Sequence, residues 1–284
     1  MAIDPAQAVG AEIKGGSFSW EPDQVILYHL GLGAGVPPTD PGELEYTFEK
    51  NLKVLPSYGV IPGGSMTPKL LTVPGMKFNV AMLLHGEHDL ELPAPLPTQA
   101  TVTNTLRVKQ IYDKGKAALV ICETEANDEA GNTVLINRSS LFIRGEGGWG
   151  GDPGPKPANA APGREPDQVV ETPTLPQQAL LYRLSGDKNP LHADPEFAKL
   201  GGFERPILHG LCTYGTVCKA VVDHALGGDT AAVARYQVRF AGVVFPGETL
   251  VTSLWREDNK ILLNTIVKER NAPALTNAAI TLRG

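Results

Sequence analysis

Cysteine is scarce. Cys122, Cys212 and Cys218 are the only three in 284 residues. An odd, widely spaced set builds no disulfide framework and fits a reducing compartment. Basic residues are also outnumbered, 25 against 31 acidic, which gives a formal net charge of -6 and a pI near 5.6. No broad positive field is left to attract nucleic acid or an anionic membrane surface. A phosphate-bearing ligand would have to be held by individual lysines or arginines. No apolar run reaches the length that crosses a bilayer. The opening Met-Ala-Ile-Asp-Pro lacks the basic-then-apolar layout of a secretory signal. Thr281-Leu-Arg-Gly284 is not a peroxisomal address of the Ser-Lys-Leu type, so a cytoplasmic location is expected. Two enzyme signatures are missing too. There is no Gly-x-Ser-x-Gly of a serine hydrolase. No glycine pattern follows a strand and opens a helix, as a dinucleotide fold requires.

What remains is an ordinary globular composition, 42% hydrophobic and 20% charged. At roughly 150 residues per domain the length suggests about two domains, or one large one. Residues 1–20 read as an extended lead-in. A helix is expected from Asp23 over Val25–Leu30, stopped by Gly31, Gly33 and Gly35. Residues 36–45 read as a loop. Val54–Pro62 starts like a helix, and Gly63-Gly64 and Pro68 cut it short. Three β-type runs follow, at Thr98–Tyr112, Lys116–Thr124 and Asn132–Arg144, with turns at Asp113-Lys-Gly and Glu129-Ala-Gly-Asn. No crossover helix fits between them, so they are antiparallel.

Residues 145–166 are rich in glycine and proline and read as a linker. A phosphate cradle is the rival reading, weakened because no Gly-Lys-Ser/Thr follows. The second half opens on a short strand-like stretch, then a helix-prone Gln177–Ser185 and a short helix at Pro195–Leu200. Ile207–Leu226 is the longest helix candidate, apolar on most sides and therefore buried. Ala231–Ala241, Thr249–Glu257, Lys260–Glu269 and Ala274–Leu282 close the chain as strands.

The two halves are laid out alike. Leu90–Thr103 matches Phe240–Thr252 in pattern, and each half ends similarly, in Ser140-Leu-Phe-Ile-Arg-Gly145 and Ala279-Ile-Thr-Leu-Arg-Gly284. This is an α+β internal repeat of a sheet wrapped round a helix, with the first helix degenerate. The expected parts are an N-terminal half at 1–148, a linker at 149–166 and a C-terminal half at 167–284. A missing helix leaves room beside the first sheet for a pocket.

Chemistry concentrates in Gly186-Asp187-Lys188-Asn189-Pro190-Leu191-His192. Gly186 and Pro190 are explained by a plain turn. Asp187, Asn189 and His192 together are not. A carboxylate and an imidazole on one short segment can hold a water between them as a general acid/base pair. Asn189 can orient a ligand or the histidine. A metal needs a third ligand, and Asp187 and His192 offer two. Gly210 heads the long helix, where its N–H can meet an oxyanion, while His209 reads as structural. Leu84-His85-Gly86-Glu87-His88-Asp89 reads as polar loop residues with no catalytic role. Lys114 is a turn lysine, solvated by default. Tyr182, Tyr214, Phe240 and Phe245 read as core, and Cys212 and Cys218 as inert residues on the buried helix.

The run Tyr182-x-Leu-Ser-Gly-Asp-x-Asn-Pro-Leu-His-x-Asp-Pro, followed by Pro206-Ile-Leu-His-Gly-Leu-Cys-Thr-Tyr-Gly215, closely resembles the MaoC-like R-specific enoyl-CoA hydratases, or hydratase 2. Val54-Leu-Pro-Ser-Tyr, Leu84-His-Gly-Glu, Asp113-Lys-Gly and Arg239-Phe-Ala-x-x-Val-Phe-Pro-Gly-Glu-Thr extend the likeness to the two-half form found as the hydratase part of peroxisomal multifunctional enzyme type 2. The resemblance implies a double hot-dog fold and reversible hydration of trans-2-enoyl-CoA to (3R)-3-hydroxyacyl-CoA. It implies Asp187 and His192 as the catalytic pair, Asn189 beside them, and Gly210 as donor to the thioester carbonyl. Substrate contacts would be His85, Gly86, Lys114, Asp187, Lys188, Asn189, Pro190, Leu191, His192, Gly210 and Phe240. No cofactor or metal beyond the coenzyme A of the substrate is expected, with a homodimer and a separate R-specific dehydrogenase for the product. The rivals are a hydratase for CoA-linked steroid side chains, a carrier-protein dehydratase, an acyl-CoA thioesterase and a non-catalytic acyl-CoA binder.

Overall fold

Alternating side chains and tight turns fold the β-type runs into a single antiparallel sheet in the computed structural model, which describes residues 3–64 and 67–284. In chain order the elements of the first half are α1 (Pro5–Ala8), β1 (Glu12–Trp20), α2 (Pro22–Gly31), α3 (Pro41–Thr47), α4 (Val60–Gly64), β2 (Leu83–Glu91), β3 (Ala100–Asp113), β4 (Ala117–Asn127) and β5 (Thr133–Arg144). Those of the second half are β6 (Gln168–Pro173), α5 (Gln178–Tyr182), α6 (Pro195–Leu200), α7 (Gly210–Ala225), β7 (Val233–Phe240), β8 (Thr249–Glu257), β9 (Lys260–Val267) and β10 (Ala272–Leu282). The strand order is β1-β3-β4-β5-β2-β7-β10-β9-β8-β6, so the halves meet where β2 pairs with β7. This is the expected double hot-dog.

One local reading is sharpened and two are corrected. The lead-in is extended, as read, and Glu12–Trp20 of it is an edge strand paired with β3, its alternation broken by a register shift between Lys14 and Ser17. Residues 36–45 are not all loop, because Asp40 caps a helix by accepting from the Gly42 and Glu43 N–H groups. Leu84–Asp89 is not a loop but the middle of β2. Its polar residues mislead because the strand sits at the join of the halves. There the Asp89 carboxylate accepts two hydrogen bonds from Arg235 on β7, at 2.7 and 2.5 Å.

The α7 helix is the centre of the second half. Cys212, Tyr214, Val217, Cys218, Val221 and Val222 are all buried along it. Gly215 faces α2 so closely that a Cβ would lie 2.6 Å from both Leu32 and the Tyr28 hydroxyl oxygen. The matching position in the first half holds only a 3₁₀ turn at Pro56–Gly59, the five-residue α4 and a second 3₁₀ turn at Thr67–Thr72. A helix this short leaves carbonyls unsatisfied. The sheet supplies their partners: Asn104 Nδ2 donates to the Pro62 carbonyl at 2.7 Å and Asn137 Nδ2 to the Gly59 carbonyl at 2.8 Å. These buried amides form a polar belt between two apolar clusters. One contains Val102, Ala126 and Leu135, the other Leu106, Val120 and Leu141.

No helix or strand forms between Arg144 and Gln168. The glycines at its start do cradle an anion, but it is the protein's own. Asp113 accepts from the N–H groups of Gly115 (2.8 Å), Gly148 (2.8 Å), Gly150 (2.7 Å) and Gly151 (3.2 Å). These bonds, led by that from Gly148, hold the carboxyl down to about 2. A depressed carboxyl supports the fold above its unfolded value, near 4, and that support is lost as pH falls towards 2. Asp113→Ala should therefore release residues 147–154 at neutral pH. Limited proteolysis would show new cleavage there. A wild-type digestion pattern would rule the tether out.

Candidate active site

Each catalytic candidate is placed by a different local device. After α5, a 3₁₀ turn at Arg183–Ser185 ends at Gly186, whose φ of 129° is one that only glycine adopts without strain. That turn throws Asp187 out to the surface. Its carboxylate accepts from the Asn189 N–H at 3.0 Å, and the Asn189 amide oxygen accepts from the Leu191 N–H at 3.1 Å. Asn189 is therefore committed to capping the turn that delivers His192. Pro190 starts that turn, with its φ fixed and no N–H to satisfy.

His192 is buried, and its Nδ1–H donates to the Ile207 carbonyl at 2.9 Å. In the neutral ring the Nε2 lone pair is then left free for a ligand. Burial pushes its pKa below the usual value, opposed by the hydrogen bond to Ile207 and by the charge of Asp187. His209 stacks on it, with ring centroids 3.7 Å apart and planes at 27°. His209 Nε2–H faces the Asp187 carbonyl oxygen at 3.2 Å. Burial is the leading cause that pushes the His209 pKa below its usual value, so it too is neutral at pH 7. The structural reading of His209 thus gains a specific content, since it braces both members of the pair.

Donor atoms of Asp187, His192 and His209 all lie within 4.8 Å of one another. Sequence spacing offered two possible metal ligands, and the fold brings up a third. The stacked rings are nonetheless poorly disposed for a shared ion. Lone pairs lie in the ring planes, and nearly parallel planes do not aim them at one point as a tetrahedral site requires. A water spanning a carboxylate and an imidazole suits this separation, because two hydrogen bonds of about 2.8 Å bridge it comfortably.

Gly210 is the first residue of α7 and follows His209, whose ring stacks on His192. The His209 carbonyl accepts from Cys212 and Thr213, and the Gly210 N–H has no partner inside the helix. A Cβ at Gly210 would lie 3.3 Å from the Phe240 ring. Phe240 in turn lies 5.0 Å from the His85 ring, and the Asp187 charge is close enough to act on His85. Phe240 is half buried: it packs against the main core and also faces Gly210 and His85. His85 and Gly86 reach the site from β2, across the join.

Of the remaining candidates, Lys188 and Leu191 are chain neighbours of the pair and Lys114 lies farther off. Lys188 is exposed, and its carbonyl accepts from Arg183 at 3.5 Å. Leu191 is half buried beside Gly201. Lys114 is not freely solvated: its ammonium donates to the Pro153 carbonyl and sits 5.9 Å from the Tyr112 ring centre. Register runs from Asp113 through Ala118 and Ile143 to Leu83. Lys114 therefore emerges at the same end of the sheet as His85, about 14 Å across it. Tyr182 and Tyr214 are buried, as read.

Two family models divide the chain between them. A MaoC like domain matches residues 157–278, and an MFE-2 hydratase 2 N-terminal domain matches residues 18–145. The chain is 45% identical over 282 residues to a Mycobacterium tuberculosis protein named enoyl-CoA hydratase ChsH3, covering 99% of this chain and 97% of that one. It is 42% identical over 284 residues to the Arabidopsis thaliana protein named enoyl-CoA hydratase 2, peroxisomal, covering 94% and 91%. A crystal structure of a MaoC-like dehydratase from Phytophthora capsici superposes with a TM-score of 0.89 at 34% identity, covering 99% of this chain and 98% of that one.

Proposed function

We propose, for a chain that belongs to the MaoC-like family in its two-half hydratase 2 form, a mechanism run by Asp187, His192 and Gly210. The reaction is the hydration of 2-enoyl-CoA in fatty-acid β-oxidation, which makes the protein a hydro-lyase. The observation that carries the mechanism is the pairing of an exposed carboxylate with a buried, neutral imidazole beside the head of α7.

Water held between Asp187 and His192 attacks C3 of the enoyl group. One of its protons passes to the Nε2 lone pair of His192 as oxygen bonds to carbon. Negative charge moves through C2 to the thioester oxygen, where the Gly210 N–H and the start of α7 stabilise it. A proton returned from the Asp187–His192 pair to C2 completes the addition on one face. The atoms of one water are all accounted for, and nothing is oxidised or reduced, so these residues need no cofactor beyond the substrate's own coenzyme A. The product is the (3R)-3-hydroxyacyl-CoA, to be oxidised by a separate R-specific dehydrogenase. Lys114 is the cation we assign to the coenzyme's phosphates at that end of the sheet. The acyl chain runs to the first half, beside the broken helix. No described helix is long and apolar enough to cross a membrane, and we assign the protein to the cytoplasm as a homodimer.

The test is loss of enoyl absorbance with crotonyl-CoA and a longer trans-2-enoyl-CoA, the product read by an R-specific dehydrogenase. Hydration to the R alcohol is expected. Formation of the S alcohol, free thiol release or binding without turnover would overturn the assignment. Faster turnover of a carrier-protein thioester or a steroid side-chain enoyl-CoA would change the substrate class and keep the chemistry.

A further inference from the structure

The glycine-rich start of the linker does not trail away from the fold. Residues 147–154 lie as a strap across the tip of the β3–β4 hairpin. A Cβ at Gly147 would lie 2.5 Å from the Ala117 nitrogen, so one end of the strap rests directly on the hairpin backbone. Trp149 packs against the apolar cluster that contains Leu106, Val120 and Leu141. A Cβ at Gly154 would lie 2.7 Å from the Tyr112 ring, so the far end rests on that ring. Asp113, the last residue of β3, ties the middle down. Its carboxylate accepts from Gly148, Gly150 and Gly151 of the strap and from Gly115 of the turn. Its own N–H donates to the Asp152 carbonyl at 2.8 Å.

Lys114 comes next in the chain, and the strap gives it a seat. The ammonium donates to the Pro153 carbonyl, and the Tyr112 ring centre is 5.9 Å away. Both partners are uncharged. They use one of the ammonium's N–H donors and leave the charge and the other donors for an anion. A free lysine gives up much rotational freedom when it binds one, and that loss weakens the complex. A lysine already seated by its neighbours loses less. The adjacent aspartate would ordinarily compete for the same charge. A carboxylate has about four acceptor positions, and the glycine N–H groups fill those of Asp113. Asp113 is thus taken up by the strap and does not stand between Lys114 and a phosphate.

We propose that Asp113 and the strap at 147–154 are positioning elements for coenzyme binding. They hold the Lys114 ammonium ready for the phosphates at the nucleotide end of the substrate. Asp113 itself touches no substrate and acts through Lys114. This inference rests on the assignment of Lys114 to those phosphates. It gives the linker a role beyond joining the two halves.

The experiment measures kcat and KM with crotonyl-CoA and with crotonyl-pantetheine, which carries the same reacting group and no phosphate. The variants are Asp113→Ala, Gly154→Ala and Lys114→Ala, and each of the first two combined with the third. Gly154→Ala lifts the Pro153 carbonyl by crowding Tyr112 and leaves Asp113 in place, so it carries the test if Asp113→Ala does not fold. KM for crotonyl-CoA should rise about three- to tenfold in Asp113→Ala and in Gly154→Ala, the cost of ordering one long side chain. Neither kcat nor the KM for crotonyl-pantetheine should follow. Combined with Lys114→Ala, the two substitutions should add nothing, since no ammonium is left to place. An equal rise on both substrates would mark a merely structural role and overturn the proposal. Full additivity with Lys114→Ala would overturn it too, as would an unchanged KM for crotonyl-CoA in both strap variants. A fall in that KM in Asp113→Ala would show that the aspartate charge opposes the phosphates, which is also against it. If Lys114→Ala alone left the KM for crotonyl-CoA unchanged, the assignment of Lys114 would fail first and take the proposal with it.

Discussion

Asp187→Asn and His192→Gln are each expected to cut the hydration rate by about 10²- to 10⁴-fold, the usual worth of a positioned acid or base. Both variants should still fold and bind enoyl-CoA. In Asp187→Asn the new amide keeps an oxygen that can accept from the Asn189 N–H, so the turn survives. In His192→Gln the new side chain keeps a donor for the Ile207 carbonyl. What each loses is the capacity to take up a proton at neutral pH. Binding measured by calorimetry and turnover measured by enoyl absorbance should therefore separate cleanly. Near-wild-type turnover in either variant would remove that residue from the mechanism. A linked effect checks the pairing itself. The Asp187 charge raises the His192 pKa against the depression by burial. Removing that charge should lower it further, so the imidazole in Asp187→Asn should titrate at a lower pH than in wild type. An unchanged titration would mean that the two groups do not share a water.

The candidate catalytic segment was legible in the sequence because its chemistry is local. Gly186, Asp187, Asn189, Pro190 and His192 make their own turn, and each bond within it spans two or three residues. The repeat was legible for a related reason: hairpins are local, and β3 to β5 run close to the expected bounds. What escaped was non-local. Leu84–Asp89 looked like a loop because His85, Glu87, His88 and Asp89 are polar. Their partners, Arg235, Asn137, Ser139 and Ser140, lie 49 to 146 residues away. A bulge at Gly86, where the pairing of β2 with β5 slips, leaves no mark in a hydrophobic pattern, since it changes the face of later side chains without changing their kind. Residue type alone reads Phe240 as core, which it borders, and only the resemblance puts it among the substrate contacts. Its place in the site wall depends on Gly210 and His85 arriving from two other elements. The degenerate helix sits between these cases. Gly63, Gly64 and Pro68 announce the break, but the amides of Asn104 and Asn137 that satisfy its carbonyls come from the sheet.

Gly210→Pro should abolish most of the catalysis without disturbing the helix. Proline is well tolerated at the first position of a helix, where the missing N–H has no intrahelical partner. The residue before a proline must be extended, and His209 already is, with φ -58° and ψ 135°. The substitution thus removes a single donor from the site. It also adds a Cβ, which would lie 3.3 Å from the Phe240 ring. Gly210→Ala carries the same Cβ and keeps the N–H, so it isolates the crowding. The expected order is wild type, then alanine with a modest loss, then proline lower still by about 10²- to 10³-fold, the usual cost of losing one oxyanion donor. The loss should fall in kcat more than in KM, because the charge on the thioester oxygen is greatest in the transition state. If alanine and proline were equally impaired, the glycine would matter for space beside Phe240 and the oxyanion would be held elsewhere. If proline alone lost activity, the N–H at the head of α7 would be the group that makes this carboxylate and imidazole a hydratase, since a water poised at C3 is of little use until the thioester oxygen can take the charge.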